Sequence, residues 1–279
     1  MSPFAFTLIT FVASIAAGVC GSILGLGGGI IVIPVLTLLL GVDIRFAIGA
    51  SVVSVIATSS GAAAAYVREH LTNLRVAMLL ELGTTSGALT GAFLSGIIAG
   101  RWLFLIFSIV MGYSALAMFQ KRHSDPNAPV PPDPLADRLN LHGEYFDEQA
   151  GEVVRYRVTH IKIGLALMYV AGMISGLLGI GSGSLKVPAM DLAMHLPIKV
   201  SSTTSNFMIG VTAAASAGVY FARGDINPFI TAPVAAGVLI GATLGSRLLG
   251  RLKNSWIRGA FVVVLLWICV QMAYKGIVG

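Results

Sequence analysis

Charged side chains are scarce in this sequence. Its 279 residues include 18 Lys+Arg and 12 Asp+Glu, or 11% of the chain, whereas soluble proteins carry about 25%. Hydrophobic residues make up 56%, the mean hydropathy is +0.87, and the first 42 residues contain no charged side chain. This composition excludes a water-soluble fold and predicts an all-α polytopic protein of the lipid bilayer.

Patterns for other kinds of chemistry are also sparse. Cys20 and Cys269 both lie in apolar runs and predict packing residues rather than a disulfide or a metal site. The chain has no P-loop for ATP, and its net charge of +6 comes from scattered Lys and Arg without the basic stripe of a nucleic-acid-binding face. We therefore expect no enzyme, no cofactor, no metal and no nucleic-acid partner. A remote alternative is an intramembrane hydrolase that uses Ser182 or Ser184 with His195.

Long apolar runs are the main feature of the chain, and each is near the ~20 residues that a bilayer-spanning helix needs. They cover residues 4–24, 46–66, 76–99, 102–120, 161–180, 200–221, 228–249 and 257–277. Two shorter runs, 30–40 and 184–195, follow glycine-rich segments and are too short to span unaided. They predict one broken or re-entrant element in each half of the chain.

The two halves resemble each other. An ungapped shift of 154 residues gives 18 identities over the 77 positions 18–94. The matched residues of the two breaks are Gly25, Gly27, Gly29 and Pro34 in the first copy and Gly179, Gly181, Gly183 and Pro188 in the second. Each half holds five apolar elements, and because five is odd the second copy enters the membrane from the opposite side. The sequence thus predicts two inverted membrane repeats, 1–120 and 161–279.

Lys and Arg are distributed unequally between the two sides of the predicted membrane. Thirteen lie on the side of segment 121–160 and four on the side of the N-terminus. The positive-inside rule then predicts a plasma (inner) membrane protein with 121–160 in the cytoplasm and both termini outside. Segment 121–160 opens Pro-rich and continues with a predicted small β-hairpin. It is either a linker between the repeats or a regulatory flap that docks a partner.

The two breaks are the predicted functional centre. Non-helical backbone at membrane depth is costly unless it lines a cavity or is buried in protein. The half-helices begin near Gly29 and Gly183, so their free N–H groups and positive dipole ends favour an anion. The expected backbone donors are Gly27, Gly28, Gly29, Gly181 and Gly183. The alternative is that these glycines only permit close helix crossing.

The second break is the more polar one. Gly28 and Val32 of the first copy correspond to Ser182 and Lys186 of the second. An ionisable residue at membrane depth indicates function, so we expect Lys186 to face an anion. The alternatives are that this lysine snorkels to an interface or pairs with Asp191.

Polar side chains on other helices complete the predicted site. Thr212 shares a helical hydroxyl stripe with Ser205, and Ser51 occupies the equivalent stripe in the first copy. The expected hydrogen-bonding side chains are Ser51, Ser182, Ser205 and Asn206. Glu81 and Asp191 are the candidate carriers of a coupling cation.

The paired segments Gly25-Leu26-Gly27-Gly28-Gly29 before Pro34 and Gly179-Ile180-Gly181-Ser182-Gly183 before Pro188 resemble the motifs of the sulfite exporter TauE/SafE family of membrane transporter proteins. The turn Gly224-Asp225-Ile226-Asn227 is similar to that family's second half. The resemblance covers both repeats. It implies secondary transport of small sulfur-containing anions, such as sulfite or an organosulfonate, bound near the repeat interface.

Together these features predict a secondary anion transporter that works by alternating access around a site at the membrane midplane. The alternative is a transporter coupled to H⁺ or Na⁺, or a channel-like pore, for another small organic anion. The direction of transport, the coupling ion and assembly into a homo-oligomer are left open by the sequence.

Overall fold

The computed structural model describes residues 2–24, 28–68, 72–119, 131–147, 152–181, 183–248 and 254–278. The first half comprises α1 (Pro3–Leu24), α2 (Gly29–Pro34), a π-helical turn (Val35–Leu39), α3 (Ile44–Arg68), α4 (Leu74–Ile97) and α5 (Gly100–Phe119). Between the halves lie α6 (Pro134–Arg138), β1 (Gly143–Asp147) and β2 (Glu152–Tyr156). The second half comprises α7 (Ile161–Leu178), α8 (Gly183–Pro188), a π-helical turn (Ala189–Ala193), α9 (Ile198–Arg223), α10 (Pro228–Leu248) and α11 (Asn254–Val278).

The long helices have the lengths and composition of membrane spans. Among the described residues, α1, α4, α7 and α10 are long and apolar enough to cross a membrane. The helices α3, α5, α9 and α11 contain 25, 20, 26 and 25 residues, again near the ~20 that a bilayer requires. The prediction of a mostly helical, multi-pass membrane protein is confirmed.

Each half contains the same interrupted element. A six-residue helix ends at a proline, Pro34 or Pro188, and a five-residue π-helical turn follows it. Proline has no N–H to continue the α-helical ladder, which explains why the helix widens there. Two residues after each turn the backbone is left-handed, at Gly41 (φ 66°) and His195 (φ 58°). An interrupted short helix is therefore present in each half, where the glycine and proline spacing predicts a break.

Helix packing follows the duplication. The pairs α1–α10 and α4–α7 pack most closely, α3 packs against α9, and α5 packs against α11. The helix α3 also contacts α10, as α4 contacts α9. This list of pairs is unchanged when each element is exchanged for its counterpart in the other half.

Glycines at four-residue spacing allow the closest of these crossings. On α4, a Cβ atom at Gly87 would overlap the carbonyl oxygen of Tyr169 on α7, and one at Gly91 would overlap that of Met173. On α10, Gly237 and Gly241 lie equally close to the backbone of α1. These glycines are packing faces, because nothing larger fits between the two backbones.

The segment between the halves is docked onto the helix ends. The Asn73 side chain, just before α4, donates 2.9 Å hydrogen bonds to the Leu141 carbonyl and the Tyr156 hydroxyl. The Asp133 carboxylate accepts hydrogen bonds from the amides of Leu135 and Ile161, at the starts of α6 and α7. The bond from Ile161 contributes most to holding the pKa of Asp133 below its ordinary value, since it favours the ionised carboxylate.

The strands β1 and β2 pair antiparallel in the segment where the sequence predicts a hairpin. Their connection, residues 148–151, lies outside the described residues. Leu141 and Val158 are almost fully buried and share an apolar cluster with Leu80 of α4 and with Met194 and Leu196, which follow the second break. The segment thus covers one end of the helix bundle. The repeat boundaries at 120 and 161 stay a prediction.

Gly87→Ala should destabilise the protein by about 1–3 kcal/mol, because the new methyl group overlaps backbone atoms that cannot rotate away. The measurement is the thermal unfolding midpoint of the purified protein in detergent. Gly218→Ala is the matched control, since a Cβ atom there meets nothing within 4 Å and alanine favours helix by up to about 1 kcal/mol. Equal unfolding midpoints for the two variants would contradict the assignment of Gly87 to a packing face.

Candidate functional site

Lys186 lies in the interior of the molecule. It is the fourth residue of α8, just after the second break, and its side chain is 0% exposed. Its Nζ donates a 2.7 Å hydrogen bond to Oγ1 of Thr212 on α9. The described contacts therefore exclude snorkelling to an interface for this lysine. A fully buried ammonium is strongly destabilising unless charge and hydrogen bonds compensate it.

Glu81 on α4 supplies the compensating charge. The Thr212 hydroxyl lies 2.7 Å from Oε1 of Glu81 and donates to it, so one threonine bridges the ammonium and the carboxylate. Thr85, one turn along α4, donates a second hydrogen bond of 2.9 Å to the same oxygen. Glu81 and Thr212 are 8% and 1% exposed.

The site joins the two halves of the chain and belongs to neither alone. Glu81 comes from the first half, whereas Lys186 and Thr212 come from the second. The duplication gives each of them a counterpart, namely Ala235 for Glu81, Val32 for Lys186 and Thr58 for Thr212. The equivalent position in the other half therefore lacks both charges. The Thr58 hydroxyl donates only within its own helix, to Ser54 and Val55.

Two predicted side chains of α9 are buried, and one of them has unused hydrogen-bonding capacity. Ser205 is 1% exposed, and its Oγ has no hydrogen-bond partner among the described residues. Asn206 follows it and is 9% exposed. A buried hydroxyl without a partner is costly and typical of a site that binds something else.

Ser51, the counterpart of Ser205, is used differently. Its hydroxyl donates a 2.6 Å hydrogen bond to the carbonyl oxygen of Gly179, at the end of α7. A Cβ atom at Gly29 would overlap Ser51 Oγ and would lie 2.9 Å from that same carbonyl oxygen. In this conformation Ser51 therefore ties the first break to the second.

The predicted glycines lie in the two breaks. Gly28 precedes α2 with α-helical backbone and is buried, and Gly183 begins α8 and is buried as well. Gly181 has a left-handed backbone, with φ of 79°, which favours glycine at that position. Gly27 and Ser182 lie outside the described residues.

The other predicted ionisable residues are Asp191 and His195. Asp191 is buried, 7% exposed, within the π-helical turn after α8. His195 is exposed, and its ring centroid lies 6.2 Å from that of His160 on the side of the connecting segment. This placement gives no support to a catalytic pair of His195 with a serine of the second break.

From the sequence, Asp191 was an alternative partner for Lys186, and the pairing with Glu81 was not predicted. A signal for it exists in the duplication. Glu81 and Lys186 each replace an apolar residue of the other copy, and their charges are opposite. Two such exceptions on elements that pack against the same helix, α9, indicate a buried pair.

A multi-pass helical bundle with a buried cation at a broken helix defines a membrane transporter rather than an enzyme. The chain belongs to the sulfite exporter TauE/SafE family, whose profile matches residues 10–272.

Its relatives carry names of the same kind. It is 28% identical over 277 residues to the probable membrane transporter protein YunE of Bacillus subtilis (strain 168). The aligned region covers 97% of this chain and 98% of that relative. It is also 28% identical over 245 residues to a probable membrane transporter protein of Xylella fastidiosa (strain 9a5c), with 86% and 85% covered. A third, the probable membrane transporter protein ORF9 of Sinorhizobium sp, is 27% identical, with 98% and 93% covered. No solved structure matches the chain.

Ser205→Ala is expected to leave the thermal unfolding midpoint nearly unchanged. It should raise the apparent transport constant, the anion concentration that gives half-maximal transport, by about two- to tenfold, the value of one neutral hydrogen bond. Its hydroxyl makes no bond within the described structure that could be lost. Ser51→Ala should instead lower the unfolding midpoint, because the buried carbonyl of Gly179 loses its partner. Unfolding in detergent and flux in proteoliposomes measure the two effects. A stability loss for Ser205→Ala equal to that for Ser51→Ala would make Ser205 a structural residue.

Proposed function

We propose that this protein is a secondary transporter of a small sulfur-containing anion, of the sulfite, sulfonate or organosulfonate type, bound at Lys186. The observation that carries the proposal is the complete burial of Lys186 beside a broken helix. A buried charge destabilises a protein by several kcal/mol when it is unpaired, so such a group is retained where function needs it. The family to which the chain belongs supports a sulfur oxyanion as the substrate.

The donors around Lys186 suit an oxyanion. A lysine ammonium has three N–H donors, and one of them is bonded to Thr212. The Ser205 hydroxyl and the Asn206 amide supply further donors from the start of α9. The backbone amides of Gly28, Gly29, Gly181 and Gly183 add partial positive charge at the two breaks, and we include Gly27 and Ser182 with them. Charge-assisted bonds to an oxyanion are stronger than neutral ones, so Lys186 would dominate the affinity.

Alternating access follows from the repeat arrangement. We infer that the repeats have inverted topology, because each contains an odd number of elements and the helix pairing is unchanged when the halves are exchanged. The helices α3 and α9 pack together at the centre, and the Ser51 contact to Gly179 joins the two breaks there. Rocking of one repeat against the other about this centre would expose Lys186 to each side in turn.

The orientation in the membrane is also proposed. The 13 Lys and Arg on one side, against four on the other, support a cytoplasmic connecting segment and external termini in the plasma (inner) membrane.

Labelling of single cysteines in intact cells tests the orientation, after replacement of Cys20 and Cys269. A cysteine at Ser2 should react with an impermeant maleimide, and one at Asn140 should react only after the cells are permeabilised. The opposite pattern would reverse the assignment.

Flux into proteoliposomes tests the substrate class. The panel is sulfite, methanesulfonate, sulfate and acetate, presented at equal concentration. Saturable uptake of sulfite or methanesulfonate, and weaker uptake of acetate, is the expected result. Uptake of none of the sulfur anions by folded protein would refute the proposal.

Lys186→Met should raise the apparent transport constant about 10- to 150-fold. The substitution keeps the bulk of the side chain and removes a charge-assisted contact of about 1.5–3 kcal/mol, at tenfold per 1.4 kcal/mol. Val32→Met, at the corresponding position of the first repeat, is the control and should change the constant little. Unchanged affinity in a folded Lys186→Met protein would assign the site to backbone amides and hydroxyls alone.

A further inference from the structure

We propose that Glu81 carries a proton that moves together with the anion, so that the protein is an anion–proton symporter. This inference rests on the proposed function and adds the coupling ion to it. In the empty site, ionised Glu81 compensates Lys186 through Thr212. When an anion binds Lys186, Glu81 takes up one proton, and both leave when the site opens to the other side.

An anion that binds in this buried site changes its charge balance. The described conformation buries both Lys186 and Glu81 and places Thr212 between them, with distances of 2.7 Å on either side. The pair has no net charge. A monovalent anion added at Lys186 would leave one uncompensated negative charge in a medium of low dielectric, which is strongly unfavourable. Protonation of Glu81 restores neutrality and leaves Lys186 to the anion.

The hydrogen bonds of Thr212 fit both protonation states. Its single hydroxyl hydrogen has two acceptors within reach, Glu81 Oε1 at 2.7 Å and the Met208 carbonyl at 2.8 Å. When Glu81 is ionised, the hydrogen points to the carboxylate. When Glu81 is protonated, the carboxyl donates to the threonine oxygen and the hydroxyl hydrogen turns to Met208. No hydrogen bond is lost in either state, because a hydroxyl donates once and accepts twice.

The second carboxylate oxygen of Glu81 is open to a further donor. Oε2 is buried and has no hydrogen-bond partner among the described residues. A buried polar atom without a partner is costly, which is typical of a group that takes part in function.

Other titratable groups lie on the elements packed around this position. Those on the elements packed against α4 and α8 are Arg101, Tyr113, Lys162, Tyr169, Asp191, Lys199, Tyr220 and Arg223, and Arg75 lies on α4 itself. Tyr113 is exposed, Arg101 donates to the Gly276 carbonyl, and Tyr220 donates to the Leu177 carbonyl. Lys162 and Lys199 are exposed, and Tyr169 donates to Thr90. Arg223 pairs with Asp225, and Arg75 donates to the Asn140 carbonyl.

Asp191 is buried in the π-helical turn after α8. Glu81 is the carboxylate that Thr212 joins to Lys186, which puts it in a position to respond to anion binding there. Its counterpart in the other repeat is Ala235, so each transport cycle moves a single proton.

Proton flux measured alongside anion flux tests the proposal. Proteoliposomes containing a pH-sensitive dye receive a gradient of methanesulfonate, whose charge is constant near neutral pH, or of sulfite. Wild-type protein should move protons with the anion in the same direction, and the apparent anion constant should rise about tenfold per pH unit where the empty site is ionised. Glu81→Gln should still exchange labelled anion between the two sides but should move no protons, and its anion constant should be independent of pH.

Thr212→Val gives a second reading if Glu81→Gln fails to fold. Loss of the bridge should reduce the number of protons moved per anion, whereas Thr58→Val, at the corresponding position of the first repeat, should behave as wild type. Glu81→Asp should restore proton movement in part.

Anion flux without proton flux in the wild type would overturn the symport and leave the proposed function standing. Proton-coupled transport by Glu81→Gln would also overturn it, as would loss of anion exchange in folded Glu81→Gln protein. Absence of any flux of sulfur anions in the wild type would refute the proposed function itself.

Discussion

The energetic cost of one buried ammonium group organises the interior of this protein. Lys186 has no exposed surface, and an unpaired charge in that position would destabilise the fold by several kcal/mol. The chain meets this cost with groups from both halves, since Thr212 of α9 accepts the lysine hydrogen bond and Glu81 of α4 supplies the opposite charge. The contacts α4–α9 and α8–α9 therefore hold an electrostatic unit as well as an apolar core. A charged ligand or a proton that enters changes the net charge of Lys186 and Glu81 taken together.

The rest of the fold consists of two similar halves that hold these residues in place. Each half has a short helix that ends at a proline and is followed by a π-helical turn. Glycine faces bring α4 close to α7 and α1 close to α10. Each half contributes one of the two charges, and the corresponding positions of the other copy, Ala235 and Val32, carry none. At one end, the connecting segment and the apolar cluster around Leu80 and Met194 cover the bundle. The result is a conformation in which Lys186 has no exposed surface, and the proposed alternating access would need this cover and the opposite end to open in turn.

Much of the architecture could be predicted from the sequence because it depends on local signals. Apolar runs near the length of a bilayer, glycine–proline breaks repeated at a shift of 154 residues and the four-residue glycine spacing each have one physical meaning in a membrane. The partner of Lys186 was harder to predict, because Glu81 is 105 positions away and only packing decides which faces of α4 and α8 meet Thr212 of α9. The sequence also did not show that Ser51 is hydrogen-bonded and Ser205 is not. That difference depends on the Gly179 carbonyl oxygen, which lies 2.6 Å from the Ser51 hydroxyl. The glycine amides at the breaks remain a predicted part of the site.

Direct location of a bound anion would test the central claim that the anion binds at Lys186. Selenite, the selenium analogue of sulfite, can be located by anomalous diffraction from crystals of the protein grown or soaked with it. The account predicts a selenium peak whose oxygens lie about 2.7–2.9 Å from Lys186 Nζ, the length of a charge-assisted hydrogen bond, with Ser205 among the neighbours. A peak midway between the two breaks, or beside Val32, with Lys186 still bonded to Thr212 and Glu81, would contradict it.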